Sequence, residues 1–280
     1  MPVTPRADMH MHTLCSDGSL SPANLVAQAH SAGLTAIAVT DHDCIDGLSE
    51  AKDAGARLGV EVVSGVELSV TVEDVEVHML GYFFDPNHAG LRAHLDAFQN
   101  HRRRRAEAMV ERLHGLGVKL PVEAVWEQAQ GRALGRPHVA EALLAQGVVS
   151  TQQEAFDRFI GDGAPAFVPK PLFPATAALA LLHEAGGIGV IAHPGHWTRD
   201  ATLMSLIRSG LDGVETIHPS HDASLTRYYT QVARDFGLLE TGGSDYHGPR
   251  PDVEDRLGVY TIPYARLERA RRAAETLAIT

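Results

Sequence analysis

The run Asp8-Met9-His10-Met11-His12-Thr13, then Ser16-Asp17-Gly18 and later Thr40-Asp41-His42-Asp43, sets imidazoles and carboxylates at the ends of short apolar stretches. Donors of this kind bind divalent cations. In an extended chain alternate residues face one side, so His10 and His12 can aim two rings at one cation while Met9 and Met11 turn away. A single H-x-H is a weak signal, but four further clusters extend it: Gly65-Val66-Glu67, Glu76-Val77-His78, Ile191-Ala192-His193-Pro194 and Gly243-Ser244-Asp245-Tyr246-His247. Three acids (Asp17, Glu67, Asp245) and six imidazoles (His10, His12, His42, His78, His193, His247) make a mixed N/O set. That set suits manganese, iron or zinc better than calcium, and it lacks the thiolates of closed structural zinc sites. Asp8, Asp41 and Asp43 sit beside these donors and can orient imidazoles.

The elements that must position the donors alternate. Strands are expected over Ala7 to His12, Ala36 to Thr40 and Glu61 to Glu67, with helices over Pro22 to Ala32 and Leu48 to Leu58. Ser21 as a cap with Pro22 at the first helical position fits helix entry. Such alternation implies parallel strands with helical crossovers. Val70 to Val77 is ambiguous between an extra strand and a hairpin. From about Gly90 the rhythm changes to helical segments: Leu91 to Leu116, Val122 to Gln130, Arg136 to Ala145 and Gln152 to Ile160. Alternation resumes with Ile188 to His193, Ala201 to Arg208, Gly213 to His218, Ala223 to Phe236 and Leu238 to Thr241. Because donors fall on both flanks, the expected organisation is one barrel from residues 1–90 and 164–280, with a helical insertion at 91–163.

At 280 residues the chain can bury a full core, and 44% hydrophobic residues support a globular reading. The apolar runs are too short to cross a bilayer, and the start lacks the basic and long apolar regions of a signal peptide, so the expected location is cytoplasmic with no membrane contact. Cys15 and Cys44 offer no disulfide framework and read as packing residues. A net charge of −11 argues against broad coating of nucleic acid. Part of that charge belongs to the proposed ligands, and bound cations would make the pocket attractive to an anion.

The ordered motifs D-x-H-x-H-T-x-x-S-D-G, T-D-H-D, G-x-E, an isolated His, A-H-P-G and G-S-D-x-H resemble those of the PHP (polymerase and histidinol phosphatase) family of metal-dependent phosphoesterases. The resemblance implies an α/β fold, a distorted (β/α)7 barrel, and a site for two to three divalent ions, Mn2+ foremost with Fe2+ or Zn2+ as alternatives. It implies His10, His12, Glu67 and Asp245 on one metal, Glu67, His78 and His193 on a second, and Asp17, His42 and His247 on a third. Two metals sharing Glu67 would activate water for in-line attack on phosphorus, with Glu67 and Asp245 as the central catalytic carboxylates. His196, in Ala192-His193-Pro194-Gly195-His196, is a candidate general acid.

Substrate choice is expected from the insertion. In His101-Arg102-Arg103-Arg104-Arg105 most arginines should be solvated, while Arg102 and Arg105 share a helix face and can reach an anion. Gly135-Arg136-Pro137-His138 sits where a helix begins, so Arg136 and His138 are sharper candidates. Lys170 and Arg199 are secondary ones. The Gly-Arg-x-His sequence with Phe156-x-x-Phe159-Ile160-Gly161 and Ala166-Phe167-Val168-Pro169-Lys170 resembles the PHP branch of nucleoside 3′,5′-bisphosphate phosphatases and 5′-to-3′ exoribonucleases. That branch implies a small phosphorylated nucleotide as substrate, adenosine 3′,5′-bisphosphate for example, or short 5′-phosphorylated RNA. No stable protein partner is indicated. Histidinol phosphate phosphatase and a noncatalytic metal-binding module are the alternatives; loss of ligands would mark the latter, and all nine are present.

Overall fold

The computed structural model describes residues 4–73, 75–129, 134–196, 198, 200–249 and 256–278. The chain divides into two compact units, Met1–Ala93 with Leu172–Thr280, and His94–Pro171.

In the first unit, β1 (Arg6–Asp8), β2 (Ala36–Val39) and β3 (Glu61–Val72) pair in parallel. Helices α1 (Pro22–Ser31) and α2 (Leu48–Leu58) supply the crossovers between them. Ser21 accepts the Asn24 N–H at 3.2 Å and Pro22 opens α1, so the entry follows the cap chemistry read above. All four residues of β2 are buried, as a strand covered on both faces requires. The ambiguous stretch resolves as a hairpin. β3 runs on to Val72 and turns into β4 (Val75–Tyr82), antiparallel in a register from Gly65 opposite Tyr82 to Val72 opposite Val75.

β4 is also antiparallel to β5 (Ile188–Ile191), after which β5, β6 (Gly213–Ile217) and β7 (Leu239–Gly242) are parallel. A short β8 (Ile262–Pro263) pairs antiparallel with β1, giving the order β7-β6-β5-β4-β3-β2-β1-β8 among the described residues. The expected distorted barrel is therefore present, with one reversed strand and one added edge strand. The sheet closes through the segment after β1. The Met9 N–H donates to the Gly242 carbonyl at 3.1 Å, the His12 N–H to the Tyr246 carbonyl at 2.9 Å, and the Thr40 N–H to the Met11 carbonyl at 2.9 Å. That splice explains why β1 stops at Asp8 rather than His12: the backbone of residues 9–12 bonds to the ends of two other strands instead of one ladder.

Beyond α3 (Ala89–Gly115), the second unit contains α4 (Val122–Ala129), α5 (Arg136–Ala145), α6 (Gln152–Ala155) and a π-helical turn over Phe156–Ile160. The expected continuous helix over Gln152 to Ile160 widens at Phe156, whose carbonyl accepts the Gly161 N–H at 2.8 Å. Val110, Leu113, Val125, Val139, Leu143 and Ile160 are among the residues of its own apolar core. In the first unit α7 (Ala175–Glu184), α8 (Asp200–Arg208), α9 (Ala223–Phe236) and α10 (Tyr264–Leu277) complete the shell. Neither α7 nor α10 was expected. The first is apolar nearly throughout; the second is so polar that only Leu267, Ala270 and Ala274 mark its buried stripe.

Gly65 lies two residues before Glu67, and a Cβ there would stand 2.6 Å from the Val39 carbonyl oxygen and 2.8 Å from Thr40 Cγ2. A backbone atom cannot yield as a side chain can. Gly65→Ala is expected to cost about 1–3 kcal/mol, read as a lowered urea midpoint at unchanged slope in the metal-stripped protein.

Candidate metal centre

Every strand end from β1 to β7 sends residues toward one locus. Glu67, on β3 and buried, is its centre: Oε2 lies 3.1 Å from His10 Nε2, 3.2 Å from His12 Nε2 and 3.3 Å from His42 Nδ1. Its Oε1 lies 2.8 Å from His78 Nδ1 and 3.0 Å from His193 Nε2. Asp245 Oδ1 is 3.1 Å from His12 Nε2 and 3.4 Å from His10 Nε2. Asp17 Oδ1 is 3.3 Å from His247 Nε2, and its Oδ2 is 3.8 Å from His42 Nε2. All nine candidate ligands therefore meet in one place.

Donor atoms within 4.8 Å of one another form four groups that could each hold a cation: His12, Asp17, His42 and His247; His10, His12, Glu67 and Asp245; His42, Glu67 and His78; and His10, Glu215 and His218. His193 is outside the third group, although its Nε2 shares Glu67 Oε1 with His78. Glu215 and His218 escaped the sequence reading. Both belong to Gly213-Val214-Glu215-Thr216-Ile217-His218, an apolar strand with one acid inside it and an imidazole at its end, which was the available signal.

The residues fit a metal. The His12 ring is fully buried and neither of its nitrogens makes a hydrogen bond, although carboxylate oxygens stand 3.1 and 3.2 Å from Nε2. Ligand-type nitrogens and oxygens that converge without bonding one another are aimed at a shared point. The His12 ring centroid lies 4.2 Å from that of His247 and 4.7 Å from that of His42, too close for several imidazolium charges to coexist without strong repulsion. A divalent ion between donors removes that conflict.

Without metal the electrostatics are lopsided. Burial opposes the charge of Glu67 and Asp245, yet the surrounding imidazoles hold both carboxyls well below their ordinary range. Burial likewise disfavours a charged His12, but Asp245 and Glu67 outweigh it and raise the ring to about 10. His42, penalised chiefly by burial, drops to about 4. The His247 Nδ1–H donates to the Asp245 carbonyl at 2.8 Å, which leaves Nε2 as the donor atom toward Asp17.

The main chain around the donors is held under tension. Among the described non-glycine residues with positive φ are Asp43 (49°), His193 (28°) and Asp245 (50°), all at strand ends in this locus. Asp8 Oδ1 accepts the N–H groups of His10 (3.2 Å) and Ser244 (3.0 Å), and burial pushes its carboxyl up to about 7. Asp41 accepts the Thr13 N–H and hydroxyl, each at 2.7 Å, and the Ser16 hydroxyl at 2.6 Å. Asp43 accepts the Ser69 N–H at 2.8 Å. These bonds from Asp8, Asp41 and Asp43 shape the backbone that carries the ligands. At Gly243 a Cβ would lie 2.4 Å from His10 N, so only glycine lets the β7 loop pass the H-x-H segment.

The remaining candidates are spread more widely. His196 is exposed and within electrostatic reach of Asp222, the N-cap of α9. Arg102, Arg136, His138 and Lys170 belong to the helical unit. There Arg102 donates to the Leu134 carbonyl at 3.1 Å, and Arg136 pairs with Asp162 at 2.8 Å between the rings of Phe156 and Phe167. His138 is buried, and its Nδ1 accepts the Gly135 N–H at 3.0 Å, capping α5. Lys170 is half-buried. Arg199 lies outside the described residues. Both thiols are raised by burial, as packing residues would be.

Fold and site together define an α/β barrel with a His/carboxylate metal centre at its strand ends. The PHP domain pattern matches residues 8–158, and the chain belongs to that family. It is 33% identical over 253 residues to the 5′-3′ exoribonuclease of Haemophilus influenzae, covering 88% of this chain and 92% of that one. It is 31% identical over 248 residues to the 3′,5′-nucleoside bisphosphate phosphatase of Chromobacterium violaceum, covering 86% and 87%. A solved Bifidobacterium adolescentis structure named as a metal-dependent phosphoesterase matches with a TM-score of 0.83 and 32% identity over 96% of each chain.

Because His10 and His12 are held above the ordinary imidazole range in the metal-free chain, both retain protons at neutral pH and a metal must displace them. Mn2+ binding is expected to release protons and to weaken as pH falls. Titration calorimetry in buffers of different ionisation enthalpy checks this; equal heats would contradict it.

Proposed function

We propose that this chain is a divalent-metal-dependent phosphatase that removes the 3′-phosphate of nucleoside 3′,5′-bisphosphates, with 5′-to-3′ exonuclease activity on short 5′-phosphorylated RNA. The observation that carries the reading is the convergence of five imidazoles on the buried Glu67 carboxylate, with Asp245 and Asp17 alongside. The names of the Haemophilus and Chromobacterium relatives support the substrate class. The mixed imidazole and carboxylate donors favour Mn2+, with Fe2+ or Zn2+ able to substitute. Bound ions would supply Lewis acidity toward the phosphoryl oxygens and a nucleophile from water at neutral pH.

The chain's own residues do the rest. His10, His12, Asp17, His42, Glu67, His78, His193, Asp245 and His247 hold the ions, and the strained loops at His193 and Asp245 keep their donors from relaxing outward. Arg136, with Phe156 and Phe167 against its guanidinium, is the leading group for the second phosphate; Arg102 and Lys170 support it, and Arg199 belongs to the same reading. His138 contributes by setting the start of α5. No helix among the described residues is long and apolar enough to cross a membrane, and the reading places the enzyme in the cytoplasm with diffusible substrates.

Phosphate release from adenosine 3′,5′-bisphosphate with Mn2+ tests the reading, with adenosine monophosphate and histidinol phosphate run alongside. Rapid release confined to the bisphosphate, and abolished by Asp245→Asn, is expected. Activity on histidinol phosphate alone would move the assignment to that branch. Arg136→Ala is expected to raise KM for the bisphosphate about tenfold or more while kcat holds. Because His196 is exposed, His196→Gln is expected to keep kcat near wild type; a loss of about 100-fold would assign it the leaving-group proton.

A further inference from the structure

Glu215 is fully buried on β6, where an ionised carboxylate persists only if its oxygens are satisfied. Both are. Oε1 lies 3.1 Å from His10 Nδ1, and Oε2 accepts the His193 N–H at 2.6 Å. These partners come from opposite sides of the closed sheet, the segment after β1 and the loop after β5. We propose that Glu215 is the positioning residue of the metal centre, joining the His10 ring to the His193 main chain without itself ligating an ion. The inference rests on the reading above, in which His10 and His193 bind metal.

An ionised carboxylate only accepts hydrogen bonds, so Glu215 fixes one His10 proton on Nδ1, and Nε2, which faces Glu67 Oε2 at 3.1 Å and Asp245 Oδ1 at 3.4 Å, is the nitrogen from which a metal displaces the other. Glu215 thereby selects the tautomer that can bind metal. The second bond acts on conformation. His193 holds a φ of 28°, unfavourable for any residue with a Cβ, and the Glu215 oxygen on its N–H keeps it there. The two rings then stack 18° from parallel with centroids 5.6 Å apart. One side chain thus sets the ring of one ligand and the backbone of another.

The rival assignment makes Glu215 a ligand, since it groups with His10 and His218. The hydrogen bonds oppose it. His10 Nδ1 is committed as a donor to Glu215, and His218 Nδ1 is engaged by Ser220, 2.7 Å from its hydroxyl and 3.0 Å from its N–H. His10 Nδ1 thus has no lone pair for an ion at Glu215, and His218 Nε2 faces Asp245 Oδ2 at 3.5 Å.

The test uses the full-length chain, stripped of metal and titrated with Mn2+ against a competing chelator. Glu215→Gln keeps the shape but sets an amide N–H against one of the two N–H donors. Expected is an apparent Mn2+ affinity about 10–100-fold weaker, with the wild-type number of ions still bound at saturation. Loss of one whole ion with the others unaffected would make Glu215 a ligand and overturn the proposal, as would unchanged affinity. If the variant does not fold, a crystal structure of the zinc-loaded wild type decides: a Glu215 oxygen about 2.0–2.2 Å from an ion overturns the proposal, and oxygens retained on His10 Nδ1 and the His193 N–H uphold it. A wild-type chain that binds no divalent metal would overturn the metal reading itself, and this inference with it.

Discussion

Five imidazoles around one buried carboxylate make an arrangement that cannot satisfy itself. Glu67 has two oxygens, and His10, His12, His42, His78 and His193 all place a nitrogen within 3.3 Å of them. If the rings are neutral, each can turn one N–H to Glu67, but five donors exceed the roughly four lone pairs of one carboxylate; if they are protonated, they repel one another at ring spacings near 5 Å. Cations placed among the donors relieve both conditions. Much of the remaining structure serves to hold that frustrated set together before any ion arrives.

The barrel does this with its backbone as well as its side chains. The segment carrying His10 and His12 is bonded on one side to the Thr40 region and on the other to Gly242 and Tyr246, so the H-x-H pair is also the seam that closes the sheet. Strain at Asp43, His193 and Asp245 is confined to the loops that deliver donors, and neighbouring carboxylates hold the strained or adjacent backbone through N–H bonds. Stability given up locally yields a site whose geometry is set in advance.

The helical unit follows a different logic. Its arginines are mostly occupied by carbonyls and aromatic faces: Arg105 is buried, donates to the Val168 carbonyl at 2.6 Å and sits over Phe167. The run of arginines thus splits as helix geometry requires, with Arg103 and Arg104 exposed while Arg102 and Arg105 share a covered face. Arg136 is likewise engaged, paired with Asp162 and set against Phe156 and Phe167.

By itself the sequence determined which donors exist, their order and the strand ends that carry them, because side-chain chemistry and the two-residue and 3.6-residue periodicities are local properties. It also determined the alternation that makes a barrel and the helical interruption within it. Tertiary structure alone decided that β4 runs against both neighbours, that residues 9–12 form the closing seam, and that Glu215 and His218 belong to the centre. A lone acid in Val214-Glu215-Thr216 is indistinguishable in sequence from any polar residue on a strand. Its meaning comes from His10, 205 residues away, whose ring it meets only after the sheet has closed. Local patterns carry donor identity; which donors share an ion depends on register and closure, and those are set by contacts between distant parts of the chain.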